Sequence, residues 1–337
     1  MRIAIDAMGG DFGPKVNVEG ALRAAEDFGV EILLVGAENS ILRELAQQPL
    51  CPAGITVVDA SETIGMGEGR FAFRRKQKSS IRVGTQLVKD GKADAFVSMG
   101  NTAAVVAISQ SILGYVQGVE KPALSLLVPS LKGPTLLVDV GASVNCRPRD
   151  LFQFALMGRV FLENVLGRMN PRIGLMSVGE EKSKGNDLTK EVFRMLQESP
   201  LNFIGNVEGK DIYSGKADII VSDGFTGNVA LKASEGVVEA LVHMARTEIM
   251  KNIFAKVGFI LMKRHLKKIY KKVDYSEYGG AHLLGVNGVC IVGHGRSNSR
   301  AVRNAIRLAR EFVVNKVQQK IQDEISRGAG VLHGSKA

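Results

Sequence analysis

The sequence predicts an α/β fold: a mostly parallel sheet with helices over both faces. Apolar runs of four or five residues recur along the chain, too short for helices and continuous enough for buried parallel strands. Each run ends in glycine plus small polar residues, and a helical pattern follows. The 38 glycines, set against five tyrosines and no tryptophan, suit many tight strand-to-helix turns and argue against a stacking platform for bases. With 337 residues, 45% hydrophobic and 23% charged, the chain can bury a large core and is not a disordered polymer.

Arg2–Asp6 is the first strand; it runs into Gly9-Gly10-Asp11 and a helix from about Pro14 to Phe28. Val30–Val35 leads to a helix ending near Gln48. Ala95–Ser98 runs into Gly100-Asn101-Thr102 and an apolar helix, and Thr135–Val138 into Asp139-Val140-Gly141-Ala142-Ser143. Ile173–Val178 is followed by Gly179-Glu180-Glu181, and Ile219–Ser222 by Asp223-Gly224-Phe225-Thr226-Gly227-Asn228 with a helix over Val229–Ala245. Val289–Val292 enters Gly293-His294-Gly295, then one long helix from Ser297 to about Ser326. No linker or short repeat divides the chain, so residues 1–337 are expected to form a single domain.

In such a sheet ligands sit where strands end and helices begin. Unpaired N–H groups and the helix dipole there attract anions, and glycine lets the backbone come close to them. A phosphate-type ligand is therefore expected, although any single turn of this kind can be no more than a turn.

Charge is localised. Residues 246–272 carry nine basic residues and one acid, leaving the other 310 residues at +2 of the total +10. A near-neutral body with one basic element is not a general nucleic-acid binder. Within that element Ile253, Phe254, Val257, Phe259 and Leu261 alternate with basic residues, and Lys263, Lys267 and Lys268 continue the run. An apolar face edged with lysines fits a protruding helical hairpin over 246–275, lying on an anionic membrane or at a dimer interface. No run of 18 apolar residues is present, and the start lacks the features of a signal peptide. Cys51, Cys146 and Cys290 are far apart, without a metal or disulfide pattern, as suits a reducing cytosol.

The remaining motifs exclude more than they assign. Gly65-Met66-Gly67-Glu68-Gly69 has the wrong spacing for a dinucleotide fingerprint and reads as a mobile loop. Arg74-Arg75-Lys76-Gln77-Lys78 is either a solvated loop or a patch for an anionic substrate or acidic partner, ahead of a helix that Ser79 or Ser80 caps. There is no phosphate-binding GxxxxGK[ST], no GxSxG nucleophile elbow and no histidine pair with metal spacing. Of the five histidines, His294 in its Gly-His-Gly turn is the best placed to line a site.

Seven blocks occur in series: Asp6–Asp11, Ser98–Thr102, Asp139–Ala142, Gly179–Glu181 with Lys184–Asp187, Phe203–Gly209, Asp223–Asn228, and Asp274–Ala281 with Leu283–Gly288. In order and over nearly the whole chain they resemble the bacterial phosphate acyltransferases that act on acyl-acyl carrier protein. Ala103, Ser143, Asn145 and His282 depart from the family's usual residues. The resemblance implies a three-layer α/β/α sandwich, similar to isopropylmalate dehydrogenase and phosphotransacetylase. It implies a homodimer in the cytoplasm, attached peripherally to the inner face of the membrane. The implied reaction turns a long-chain acyl-acyl carrier protein and inorganic phosphate into acyl phosphate and free carrier, with no cofactor and no metal. The product would feed a glycerol-3-phosphate acyltransferase in phospholipid synthesis.

Phosphate is already partly dianionic near neutral pH, so the reaction needs positioning and charge stabilisation more than a strong base. Lys184 is accordingly expected at the phosphate, and Asn228 at the phosphate or the carbonyl oxygen. Gly9, Gly10, Gly100, Asn101, Thr102, Gly141, Ser143, Asn186, Asp223, Gly227 and His294 complete the expected binding set. Asp6, Asp11, Asp139 and Asp223 are the residues expected to brace loops or cap helices. The alternative enzyme is a coenzyme A-dependent phosphotransacylase of related fold. A membrane- or nucleic-acid-binding scaffold would leave the glycine and asparagine turns without a purpose.

Overall fold

A computed structural model of the chain describes the backbone of residues 1–333 except Leu50, Arg70 and Asp274, and side-chain surroundings outside 266–276 and 328–333. Among the described residues eleven strands form one sheet. They are β1 (Arg2–Asp6), β2 (Glu31–Gly36), β3 (Ile55–Asp59), β4 (Ala95–Ser98), β5 (Ala123–Val128), β6 (Thr135–Val138), β7 (Ile173–Met176), β8 (Phe203–Val207), β9 (Ile219–Val221), β10 (Ala281–Leu284) and β11 (Val289–Val292). Their spatial order is β3-β2-β1-β4-β11-β10-β5-β6-β9-β7-β8.

The expected parallel sheet is present as two parallel blocks. β3, β2, β1, β4 and β11 run one way. β6, β9, β7 and β8 run the other. The reversal comes from β10 and β5, each antiparallel to both of its neighbours. The strands alternate as buried strands must. Ile3 and Ile5 face one apolar layer while Ala4 faces the other, and Leu136 and Val138 oppose Leu137 in the same way.

On the first face pack α1 (Gly13–Phe28), α6 (Pro148–Val165), α7 (Asp187–Gln197), α10 (Ser299–Val314) and α11 (Val317–His333). The second face holds α4 (Ser80–Lys89) and α5 (Thr102–Leu113). Two short helices, α2 (Glu38–Ala46) and α3 (Ala72–Arg75), lie in connections of the first block. The long C-terminal helix expected from Ser297 is two helices, because Lys316 takes a left-handed conformation (φ 51°) between α10 and α11.

The basic element departs most from expectation. α8 begins at Gly224, next to the Asp223 turn, and runs unbroken to Lys251; α9 follows from Ile253 to Val273. The bend is a single extended residue, Asn252. The protruding arm is thus the outer part of a helix that starts at the sheet. Phe254 and Leu261 are 83% and 77% exposed, and Val237, Val238, Leu241, Ile253, Val257 and Phe259 are exposed as well. Among the described residues no helix is long and apolar enough to cross a membrane.

Candidate active site

Two buried carboxylates organise the strand ends. At the end of β6, Asp139 accepts N–H bonds from Leu124 (2.8 Å), Gly141 (3.0 Å), Ala142 (3.0 Å) and Ser143 (2.6 Å). Burial pushes its carboxyl up to about 6, against the pull of those four donors. The turn it gathers needs glycine at position 141, where φ is +134°. A Cβ there would lie 3.5 Å from Nδ2 of Asn228, which stands on the first turns of α8. The two expected partners in chemistry, the 139–143 turn and Asn228, therefore meet.

Asp223 ends β9 and caps α8, accepting from Phe225 N (3.0 Å), Thr226 N (2.9 Å) and the Thr226 hydroxyl (2.7 Å). Gly227 packs on the Asp139 carbonyl too closely for any side chain. β7 pairs with β9 in parallel, so the loop carrying Lys184 emerges beside the Asp223 turn. Lys184 is exposed and forms no ion pair among the described residues.

The second carboxylate, Asp6 at the end of β1, accepts from the Ser98 hydroxyl (2.7 Å) and Met8 N (3.1 Å), and burial raises its pKa. Here the loops after β1 and β4 touch: a Cβ on Gly9 would meet Asp6 Oδ2 at 2.6 Å and Gly100 N at 2.7 Å. Asp11 N donates to Gly295 O (2.8 Å), bringing in the turn of His294. His294 is half-buried, its Nδ1 accepts from Arg296 N (3.1 Å), and burial lowers its pKa.

Because the blocks run in opposite directions, these two clusters belong to different ends of the sheet. The face of α8 links them. Asn228, Lys232, Glu235 and Glu239 recur at three- and four-residue steps, about 10 Å covering Asn228 to Glu235. Lys232 and Glu235 lie within electrostatic reach of His294, and Glu239 accepts from Arg296 Nη1 (2.7 Å). One helix face thus carries Asn228 beside the Gly141 turn and, one to three turns further on, Lys232, Glu235 and Glu239 beside the His294–Arg296 turn. The spacing that marks Lys232 and Glu235 was present in the sequence but unassigned there.

Several expected binding residues have other employment. The Asn101 side-chain oxygen caps α5 through Ala104 N (3.1 Å), and its amide donates to the carbonyls of Gly65 (3.4 Å), Met66 (3.1 Å) and Glu68 (3.1 Å). The glycine-rich loop expected to be mobile is clasped by it, and Asn101 has no donor left for a phosphate. The Asn186 oxygen caps α7 through Thr189 N (2.9 Å). The Ser143 hydroxyl donates to Pro122 O (2.9 Å). Gly10 and Thr102 stand at the rim of the Asp6 cluster, Thr102 exposed at the head of α5. Ser79 stands at the N-cap of α4 but makes no side-chain capping bond. The side chains of Lys267 and Lys268 lie outside the described residues. Among the described residues no three His, Cys, Asp or Glu side chains converge as a metal set.

The family described as "Fatty acid synthesis protein" matches residues 1–320. A phosphate acyltransferase of Trichlorobacter lovleyi is 46% identical over 333 residues, covering 98% of this chain and 96% of its own. One of Geotalea daltonii is 47% identical over 326 residues, covering 96% and 94%. In fold alone, a phosphotransacetylase from Streptococcus pyogenes aligns at TM-score 0.60 with 16% identity, covering 93% of this chain and 94% of its own. A 4-hydroxythreonine-4-phosphate dehydrogenase from Klebsiella pneumoniae aligns at 0.54 with 16% identity, covering 93% and 99%. The α/β architecture is therefore shared with phosphotransacylases and dehydrogenases, and by sequence the chain belongs to the phosphate acyltransferase family of fatty acid synthesis proteins and is an acyltransferase.

Proposed function

We propose that the chain moves a long-chain fatty acyl group from the thioester of acyl carrier protein to inorganic phosphate, giving acyl phosphate for glycerol-3-phosphate acylation in phospholipid synthesis. A phosphate oxygen attacks the thioester carbon; the C–O bond forms, the C–S bond breaks, and the proton of hydrogen phosphate ends on the departing thiolate. The observation that carries this reading is the meeting of Asn228 with the Gly141 turn at the head of α8. The Asn228 amide is a neutral donor for the carbonyl oxygen as it gains charge. Lys184, on the neighbouring strand-end loop and without a carboxylate partner among the described residues, supplies a point charge for phosphate. Gly141 and Gly227 keep the turn low enough for the ligand to approach, and the Gly9–Gly10, Gly100–Thr102 and His294 turns line the far end for the rest of the thioester.

The exposed apolar residues of the arm support two further parts of the reading. Val237, Val238 and Leu241 of α8 suit a second copy of the chain, as a homodimer. Ile253, Phe254, Val257, Phe259 and Leu261 of α9, with Lys263 beside them, suit the anionic inner face of the cell membrane and support a reading as a cytoplasmic enzyme with peripheral attachment.

Following thioester loss with and without phosphate, together with acyl phosphate formed, tests the reaction. Asn228→Ala and Lys184→Ala should each lower kcat/KM at least tenfold, about 1.4 kcal/mol, while remaining folded. Normal turnover in either variant overturns that residue's role. Turnover of coenzyme A thioesters in place of carrier thioesters would identify a phosphotransacylase.

A further inference from the structure

The basic run at 74–78 is not absorbed by the reaction chemistry. Its charges are unevenly committed. Lys76 is half-buried and held by Glu68 and the Thr63 carbonyl. Glu68 also accepts Gly65 N (2.8 Å), and Glu62 accepts Lys78 N (2.7 Å), so both nearby acids are engaged in building the loop. Arg74, Arg75 and Lys78 are exposed and have no ion pair among the described residues. Arg74 lies over the rings of Phe71 (5.4 Å) and Phe73 (5.8 Å), and Phe71 is 55% exposed. A guanidinium over aromatic rings, flanked by two exposed cations without ion pairs among the described residues, is the composition of a protein-docking patch, where arginine and aromatic residues are enriched.

Its position matters as much as its charge. Lys76 ties the basic run to Glu68 in the loop at 65–68, which the Asn101 amide holds and whose Met66 packs against Gly295, the neighbour of His294. The α9 basic residues belong to the α8–α9 arm and stand among large exposed apolar side chains that suit lipid. We propose that Arg74, Arg75 and Lys78, with Phe71, are the docking surface for the acidic face of the acyl carrier protein, whose tethered thioester then passes the loop held by Asn101 to reach the α8 face bearing Asn228. This rests on the reading of the substrate as a carrier-protein thioester. Exposed charges of this kind set encounter and orientation, so their loss acts on carrier affinity and not on the bond-making step.

The test is charge reversal, Arg74→Glu with Arg75→Glu and Lys78→Glu. With palmitoyl-acyl carrier protein the KM should rise at least tenfold, with kcat and the KM for phosphate unchanged. With palmitoyl-pantetheine, which has no protein to dock, both constants should match the unaltered enzyme. Titration with unacylated carrier reads docking without turnover: binding to the unaltered enzyme should weaken with added salt and vanish in the variant. Carrier binding that is lost on reversal while neither protein turns over would refute the reaction and leave the surface standing. An unchanged KM and unchanged titration in the folded variant refute the surface, as does a rise in KM produced instead by Lys256→Glu with Lys263→Glu on the arm. Should the triple variant not fold, Arg75→Glu with Lys78→Glu carries the same expectations.

Discussion

His282 lies fully buried on β10, its ring stacked on Phe312 with centroids 3.3 Å apart, and neither ring nitrogen has a hydrogen-bond partner among the described residues. Burial holds its pKa well below the usual 6.5. The unfolded chain therefore takes up a proton as pH falls through 6.5 while the folded chain does not, so stability present above that pH is lost below it. His282→Leu removes two unsatisfied nitrogens and this dependence together. Thermal melts should show the variant stabilised by about 1–3 kcal/mol, with the larger gain at pH 5 than at pH 8. Equal gains at both pH values would mean that the ring is not held neutral. Asp139 works in the other direction: raised from 3.8 to about 6, its contribution is complete in acid and lost as pH rises through 6. Two units correspond to about 3 kcal/mol, so the residues partly offset one another between roughly pH 4 and 6. The local part of the bracing by Asp6, Asp139 and Asp223 could be read from sequence, because each accepts from the few residues after it, whereas the bonds from Ser98 to Asp6 and from Leu124 to Asp139 span 92 and 15 residues and could not. The surroundings of His282 could not, since α10 and its Phe312 arrive from 30 residues further along.

At the scale of elements, Asn101 does two separable jobs. Its oxygen caps α5, and its amide holds the loop at 65–68. Asn101→Asp keeps the cap and removes the amide donors; Asn101→Ala removes both, at a cost of about 1 kcal/mol for the cap alone. Amide hydrogen exchange should show the 65–69 loop opening faster in both variants, and α5 destabilised only in the alanine one. A loop as protected in Asn101→Asp as in the unaltered chain would refute the clasp. Gly100-Asn101-Thr102 ahead of an apolar run marks where α5 starts, but the expectation of Asn101 as a phosphate donor gives way to its capping bond. The clasp spans more than 30 residues and has no local signature. The same distinction explains the strands: those of the two parallel blocks announce themselves by apolar runs into glycine turns, whereas the direction of β5 and β10 depends on pairings with distant partners. The α10–α11 break lacked its usual marker because lysine, not glycine, occupies the left-handed position.

For the whole molecule, the charge asymmetry seen in the sequence becomes a spatial one, with a near-neutral body and a basic arm. Changing Lys263, Lys267, Lys268 and Lys271 together to glutamate should abolish sedimentation with anionic vesicles and leave turnover of carrier thioester in free solution intact. Undiminished sedimentation would rule out electrostatic attachment. The amphipathic pattern made the arm legible, but not its origin, because Gly224 and Gly227 at the head of α8 read as turn residues and are helical. That origin has a consequence of its own. From Gly224 to Lys251 there is no proline and no break, so the apolar side of the arm and the face bearing Asn228 are locked in rotational phase, 100° for each residue between them. Two residues inserted after Glu239 would swing the outer helix by about 200° and point its apolar side away from whatever it rests upon. Seven inserted there would restore the direction to within about 20° while lengthening the arm by about 10 Å. The number of residues in α8 thus acts as a setting for how the Asn228 face is turned relative to the apolar side of the arm.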